Sequence, residues 1–325
     1  MSLNDIRLQL NLFENGLDFI LSALNYLKHT NENDKNLSNV KYAVLHMSAG
    51  VELILKYRLS LEHWSLLFSK IEVANIQKLK NGDFQSVDSK ECITRLENIC
   101  GLSINQSMKE SIRSLRDKRN KLEHFEIDES VNALKSSLFK VLNPILDFIH
   151  EQIPKDDLDE HDYLLKDIRS ELRDIDDFIK DRMEFIKEDL DEWKSTSTFT
   201  TCPHCYQTTL CVNEDFTKCF FCGYSQLDRC ELANEFIWEI LNVSEYECIT
   251  QGGEYPLYRC IECGEETLVY LSLYLETGGW ICFNCGIHWD VNEINFCVDC
   301  NEPFYPKYQE LICRDCLNSK LYESD

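Results

Sequence analysis

The sequence has no uninterrupted apolar run of about 18 residues, the length that a transmembrane helix needs. Its first residues, Met-Ser-Leu-Asn-Asp, show no basic region followed by an apolar run, so we expect no secretory signal. We therefore expect a cytoplasmic protein without a membrane partner. Because disulfides are rare in that reducing compartment, the 17 cysteines favour metal ligation. The 44% of apolar residues exclude a disordered chain.

Basic residues are scarce in the C-terminal part of this acidic chain. Residues 201–325 contain 6 Lys and Arg against 21 Asp and Glu, and residues 154–200 contain 8 against 16. Residues 1–153 are nearly neutral, with 19 against 20. Affinity for nucleic acids comes largely from Lys and Arg. A nucleic-acid function would therefore belong to the N-terminal part.

The pattern of apolar residues predicts a multidomain protein with three regions. Residues 1–153 form an all-α bundle, residues 154–198 an acidic linker helix, and residues 199–325 a small β-rich module. Helices of the bundle are predicted at 3–28, 38–60, 89–100, 104–124 and 128–152, the last bent or interrupted near Pro144.

The acidic linker is predicted as one long helix over about 157–193, which follows Pro154. Its apolar residues recur at helical spacing, which favours an arm packed on a neighbouring element. A short coiled coil between two protomers is the alternative, although Arg182 interrupts the apolar seam.

Six Cys-x-x-Cys pairs follow the linker, and their spacing is typical of zinc ligands. They are Cys202 and Cys205, Cys219 and Cys222, Cys260 and Cys263, Cys282 and Cys285, Cys297 and Cys300, and Cys313 and Cys316. Taken in order, they enclose 13, 18 and 12 residues and predict three structural Zn²⁺ sites with four cysteines each. Cross-braced pairing uses the same spacings and stays open.

The module resembles tandem zinc ribbons over roughly residues 199–320. Since every predicted site has four cysteines and no vacant position, we expect no catalytic metal. His204 and His288 are less favoured ligands, and Cys211, Cys230 and Cys248 are interpreted as core residues. With so few basic residues, the ribbons are expected to bind a protein partner or to sense a trigger. The alternative of a ribbon module that binds nucleic acid is disfavoured by its charge.

Residues 119–124, Arg-Asn-Lys-Leu-Glu-His, carry the candidate chemistry of the N-terminal domain. On a helix, Arg119, Asn120 and His124 fall on the same side as Arg113 and Arg116. Residues 109–121 hold six basic side chains against two acidic ones, the densest positive run of the chain. An arginine that binds phosphate beside a histidine that titrates near neutrality suits RNA cleavage without metal. A solvated, salt-bridged helix face is the simpler alternative.

Residues 115–125, which contain this hexapeptide, resemble the Arg-Asn-x-x-x-His motif of HEPN (higher eukaryotes and prokaryotes nucleotide-binding) domains. Residues 50–56 are similar to the second helix of that family. The resemblance covers about residues 1–152. It implies a metal-independent endoribonuclease whose composite site forms where two such domains face each other in a homodimer. It assigns catalysis to Arg119, His124 and Asn120. RNA binding is expected of Arg113, Arg116, Lys118 and Lys121.

The resemblance also implies a mechanism and a biology. The ribose 2′-OH would attack the adjacent phosphorus and leave a 2′,3′-cyclic phosphate and a 5′-OH. Toxins and anti-phage defence effectors commonly use such domains, so the ribbons would sense a phage trigger or dock a partner protein. Nothing in the sequence selects the RNA, although tRNA anticodon loops are accessible as single strands. The alternative function is a non-catalytic adaptor that uses both halves for protein binding.

Overall fold

The computed structural model describes residues 8–30, 38–271, 278–307 and 310–322. The chain divides into two compact units, Met1–Phe185 and Ile186–Asp325. The described part of the first unit is helical, and all described strands belong to the second. The expected combination of a mostly helical chain with a small β-rich C-terminal region is confirmed at this level. Within the described ranges no helix combines the length and apolar character needed to cross a bilayer.

The described helices of the first unit include the five that the sequence predicts. They are α1 (Leu12–Lys28), α2 (Ser38–Glu62), α3 (Ile76–Asn81), α4 (Ser89–Asn98), α5 (Gln106–His124), α6 (Val131–Gln152), α7 (Lys155–Glu160), α8 (Asp162–Leu172) and α9 (Asp176–Phe185). Residues 3–7 of the first predicted helix lie outside the described residues, and the short α3 was not predicted.

Side-chain caps fix where the central helices begin. Asp88 accepts the N–H of Glu91 at 2.8 Å at the start of α4, and Asn105 accepts that of Met108 at 2.7 Å at the start of α5. Each such cap contributes about 1 kcal/mol. Pro144 does not interrupt the last helix of the bundle, because α6 continues through it to Gln152, and the bend expected there stays a prediction.

The contact between α1 and α2 depends on two glycines. A Cβ atom on Gly50 would lie 2.8 Å from the carbonyl oxygen of Gly16, closer than real Cβ contacts. The missing side chains therefore let the two helix backbones approach each other. Apolar residues of both helices fill the adjoining core and are fully buried, among them Leu17, Ile20 and Ile54.

The acidic segment is not one long helix, contrary to the prediction. Residues 155–193 form α7, α8, α9 and α10 (Lys187–Trp193), and the unit boundary falls between the last two. Helix α8 packs against α1, and α9 packs against α6. The apolar spacing of α8 and α9 was therefore read correctly as a packing face, but these helices are short and separate.

Arg182 explains how an acidic helix is held against the bundle. Its side chain is only 1% exposed, and Nη2 donates to Asp147 Oδ1 on α6 at 2.6 Å. Nη1 donates to Asp147 Oδ2 and to the carbonyl oxygen of Asn143, both at 3.2 Å. Arg182, which interrupts the apolar seam, thus forms a buried, bidentate ion pair with Asp147. Loss of the arginine would leave the charge of Asp147 uncompensated.

The second unit contains three small antiparallel sheets and three further helices among its described residues. The strands are β1 (Thr198–Thr200), β2 (Leu210–Val212), β3 (Thr217–Cys219), β4 (Leu257–Arg259), β5 (Glu266–Tyr270), β6 (Trp280–Cys282), β7 (His288–Trp289), β8 (Asn295–Phe296) and β9 (Pro303–Phe304). The helices are α11 (Arg229–Glu239), α12 (Glu245–Gln251) and α13 (Arg314–Tyr322). Strand β5 ends at Tyr270, and residues 272–277 lie outside the described residues.

Each described sheet of the second unit lies beside one group of four cysteines. The orders are β1-β2-β3, β4-β5-β6-β7 and β8-β9. Gly286 lies against the first sheet so closely that a Cβ would meet the carbonyl oxygen of Val212 at 2.5 Å. The ring of Phe283 also packs on Phe236 of α11, with centroids 5.0 Å apart. The first two sheets and α11 therefore share a core.

We predict that Arg182→Ala lowers the free energy of unfolding by about 3 kcal/mol, because Asp147 would keep a partly buried charge without its partner. Denaturant titration followed by helical circular dichroism measures the effect. Lys180→Ala is the matched control, since Lys180 is exposed on the same helix. It should change stability by less than about 0.5 kcal/mol. Equal effects of the two substitutions would contradict the structural role of Arg182.

Candidate metal centres and the basic end of helix α5

The twelve cysteines form three groups of four, in the order of the sequence. Their members are Cys202, Cys205, Cys219 and Cys222; Cys260, Cys263, Cys282 and Cys285; and Cys297, Cys300, Cys313 and Cys316. Within each group all sulfur atoms lie within 4.8 Å of one another. The sequential pairing is thus the one the fold adopts, and each group could hold a metal ion.

A repeated backbone turn aims the sulfurs at a common point. The residue after the second cysteine of a pair donates its N–H to the carbonyl of the first cysteine, at 2.8 Å for Gly223 and 2.9 Å for Gly286. Five of the six pairs place a residue with positive φ there, namely Tyr206, Gly223, Gly264, Gly286 and Asn301. The sixth pair instead leads into α13. Glycine at three of these positions avoids the cost of a left-handed conformation.

The sulfur spacing matches a tetrahedral zinc site. A Zn–S bond of about 2.3 Å places the sulfurs at the corners of a tetrahedron about 3.8 Å apart. The Sγ–Sγ distance is 3.7 Å from Cys202 to Cys222, 3.7 Å from Cys263 to Cys282, and 3.8 Å from Cys300 to Cys313. The donor set of four thiolates also suits Zn²⁺ and leaves no position for a substrate, so the sites fit structural ions.

Two threonines support the first two groups and were missed in the sequence. The hydroxyl of Thr209 lies 3.2 Å from Cys219 Sγ, and that of Thr267 lies 3.3 Å from Cys282 Sγ. Both threonines stand four positions after the second cysteine of a pair, so a Cys-x-x-Cys-x-x-x-Thr pattern would have identified them. The equivalent position in the third group is Phe304, which has no hydroxyl.

Hydrogen bonding favours the ionised thiolate in the second group. A hydrogen bond from the Cys260 thiol lowers the pKa of Cys282 to about 4, although burial opposes this shift. The hydroxyl of Thr267 and the backbone N–H of Cys285 lower this pKa further. Metal ligation requires the deprotonated thiol, so these donors prepare Cys282 as a ligand.

The three groups differ in exposure to solvent. All four cysteines of the first group are buried, two of the second are half-buried, and in the third only Cys297 is buried while Cys300 is exposed. Exposure and the missing hydroxyl both point to the third group as the weakest metal site, because the surrounding shell controls access and orients the ligands.

The less favoured ligands do not join any cysteine group. His204 Nε2 lies 3.0 Å from Glu235 Oε1, and its ring stacks on Tyr224 at 4.0 Å between centroids. His288 is exposed on β7. Cys211 is buried as expected, whereas Cys230 is exposed on α11 and does not belong to the core. The interpretation of Cys230 as a core residue was therefore wrong.

The second candidate site is the C-terminal end of α5. The buried face of this helix contains Met108, Ile112 and Leu115, as the helical wheel predicts. That face ends early, because Leu122 is only half-buried and Phe125 is 78% exposed. The last two turns therefore project beyond the core, where Arg119, Asn120 and His124 are accessible to solvent.

Arg119 is the centre of a small polar network. Its Nη1 lies 3.0 Å from Glu123 Oε2 and donates to Asn120 Oδ1 at 2.9 Å. His124 Nε2 lies 3.8 Å from the same carboxylate oxygen of Glu123, and the histidine side chain is 66% exposed. Asn120 thus contacts the arginine, and the carboxylate of Glu123 lies between the arginine and the histidine.

The expected RNA-binding residues divide into two groups. Arg113 and Arg116 line a groove between α4 and α5, and Lys121 is exposed. Lys118 differs, because it forms an ion pair with Glu129 and its side chain is only 14% exposed. Lys118 is therefore less accessible to a phosphate than the other three residues, and its RNA-binding role stays a prediction.

Comparison with known proteins leaves the family open. No protein-family model, no curated protein and no solved structure matches this chain. The resemblance of residues 115–125 to the HEPN motif stays a prediction, and the geometry of the two candidate sites carries the functional argument.

We predict that a chelator removes the three metal equivalents unequally, with one lost well before the other two. The third group is the most exposed, so its ion should reach a coloured zinc indicator first. Cys300→Ser should abolish the fast phase and leave the rest of the protein folded. Cys205→Ser should unfold the first ribbon, because this ligand is fully buried. Simultaneous loss of all three ions, or a fast phase that persists in Cys300→Ser, would contradict the assignment of the third group as the weakest metal site.

Proposed function

We propose that the protein is a metal-independent endoribonuclease of HEPN type, active as a homodimer, whose C-terminal unit is a triple zinc-ribbon module. The observation that supports this most directly is the end of α5, where Arg119, Asn120 and His124 are accessible on one side of a helix that has left the core. The zinc ions would be structural, and cleavage would need none of them.

The geometry favours a site completed by a second copy. In a single chain the nearest carboxylate to His124 is Glu123, and the imidazole is mostly exposed, so nothing holds it against a substrate. Phe125 leaves an aromatic ring at the surface beside it. A second copy packed here would cover that ring and exclude water. Each composite centre would then take Arg119 from one copy and His124 from the other.

The chemistry follows from the two side chains. The 2′-OH would lose its proton as its oxygen attacks phosphorus, and the bond to the 5′-oxygen would break as that oxygen gains a proton. His124 suits either proton transfer because an imidazole can both accept and donate a proton. Arg119 would bind the non-bridging phosphoryl oxygens, where charge increases in the transition state. Asn120, which accepts from Arg119, would orient the guanidinium.

Glu123 would not block this role. Its ion pair with Arg119 is an exposed contact between residues four apart on a helix, worth about 0.5 kcal/mol. A charge-assisted hydrogen bond from the guanidinium to a phosphate contributes more, about 1.5–3 kcal/mol. An RNA phosphate can therefore displace the carboxylate.

The biological setting is a further part of the proposal. The protein would act as a toxin or anti-phage effector in the cytoplasm, with the ribbon unit sensing a trigger or docking a protein. Exposed apolar residues on α11 and α12 support a docking role, since Trp238 is 58% exposed and Tyr246 is 75% exposed. The same observation favours the alternative function, a non-catalytic adaptor in which both units bind proteins.

The nuclease function predicts RNA cleavage that survives brief exposure to EDTA and leaves 2′,3′-cyclic phosphate ends. Arg119→Ala and His124→Ala should each lower the rate by at least about 100-fold, because each removes a group that acts in the transition state. Ser114→Ala is the matched control, since Ser114 is exposed on the same helix. Full activity in His124→Ala would refute the assignment, and an inactive wild-type dimer would favour the adaptor.

A further inference from the structure

A groove between α4 and α5 lies beside the proposed catalytic residues, and no part of the nuclease chemistry uses it. Lys90 on α4 and Lys109, Arg113 and Arg116 on α5 line it together with the carboxylates Glu97 and Glu110, and Ile93 and Ile112 add apolar surface. Its volume is about 390 Å³. Two of these four cations, Lys90 and Lys109, were not among the expected RNA-binding residues.

The charges of the groove are only partly compensated. Lys109 pairs with Glu97 at 2.5 Å, and the nearest carboxylate to Arg116, that of Asp117, is 3.9 Å away. Across the part of the chain that the structure describes, no carboxylate forms an ion pair with Lys90 or Arg113. In a chain of net charge −24, a groove with four cations against two carboxylates is a local exception.

The composition of the groove indicates which ligand it would take. Guanidinium groups bind phosphate oxygens in a bidentate way, and lysines bind them as point charges. None of the described lining residues is aromatic, so the groove offers no surface on which bases could stack. Its ligand would therefore be recognised by its phosphates and not by its bases.

The groove and the motif at residues 119–124 lie along the same helix, α5. Arg113 and His124 are eleven residues apart on one continuous helix, which places them about 16 Å apart along its axis. A stacked strand advances about 3.4 Å per nucleotide, so this distance corresponds to about five nucleotides. A strand that is cut at the motif could therefore continue into the groove.

We propose that the α4–α5 groove binds the phosphate backbone of single-stranded RNA about five nucleotides from the bond that is cut. The position of the cleaved bond in this inference rests on the proposed function. The binding of RNA phosphates by the groove does not depend on that function. The groove would make affinity depend on substrate length, without preference for sequence.

Binding tests the proposal independently of cleavage. In the His124→Ala background, we would measure the affinity for a labelled oligouridylate of about 12 nucleotides, long enough to span both sites, over a range of salt concentrations. Arg113→Gln with Arg116→Gln should weaken binding and lower the slope of log K against log salt by about 1.4, because each lost phosphate contact on a single strand removes about 0.7.

The matched control removes the same charge elsewhere in the first unit. Lys41→Gln with Lys140→Gln neutralises two exposed lysines of α2 and α6 that do not line the groove. The control should leave the slope unchanged, and thermal unfolding should show that both double variants are folded. An equal loss in both, or no RNA binding by the parent, would overturn the proposal.

Cleavage by the protein with His124 intact separates the two claims. Loss of groove charge should slow cleavage of the long RNA and spare a substrate of about three nucleotides, which is too short to reach the groove. RNA binding through the groove without any cleavage would refute the nuclease and keep the groove. Cleavage that is equally fast on long RNA in the groove variant would refute the groove and keep the nuclease.

Discussion

The fold of the C-terminal unit depends on its three groups of four cysteines. Its described strands are two to five residues long, too short to hold sheets together by hydrogen bonds and side-chain burial alone. Each cluster joins two turns that enclose a sheet, and the first two clusters are supported by buried threonines that donate to a thiolate. Metal ions bound at these three groups would therefore couple metal binding to the folding of this unit.

The two units differ in their distribution of charged residues. The second unit is strongly acidic and suits protein contacts, whereas α5 concentrates basic residues along one helix that begins in the bundle and ends beyond it. The first turns of α5 border the groove, and the last turns hold Arg119 and His124. A single helix thus combines anchoring by its buried apolar face with a line of cations, and the proposed cleavage and backbone binding are two parts of the same surface.

Short-range sequence patterns predicted the features that depend on neighbouring residues in the chain. The helix around residues 106–124 follows from apolar spacing, and the three cysteine groups follow from paired spacing. The four short helices over residues 155–193 could not be predicted, because a continuous apolar stripe does not show where a chain folds back. Arg182 was read as a flaw in that stripe, since its partner Asp147 is 35 positions away. Similarly, the exposure of Phe125 and the ion pair of Lys118 depend on tertiary packing that helical spacing does not encode.

The central claim is that one copy holds only half of each active centre. Mixing inactive Arg119→Ala and inactive His124→Ala proteins, with exchange of subunits, tests it directly. In a two-fold dimer the mixed species regains one centre with both residues intact. About half of the dimers are mixed and each has one of two centres, so the account predicts recovery of about a quarter of wild-type cleavage. A mixture as inactive as its two components would contradict it.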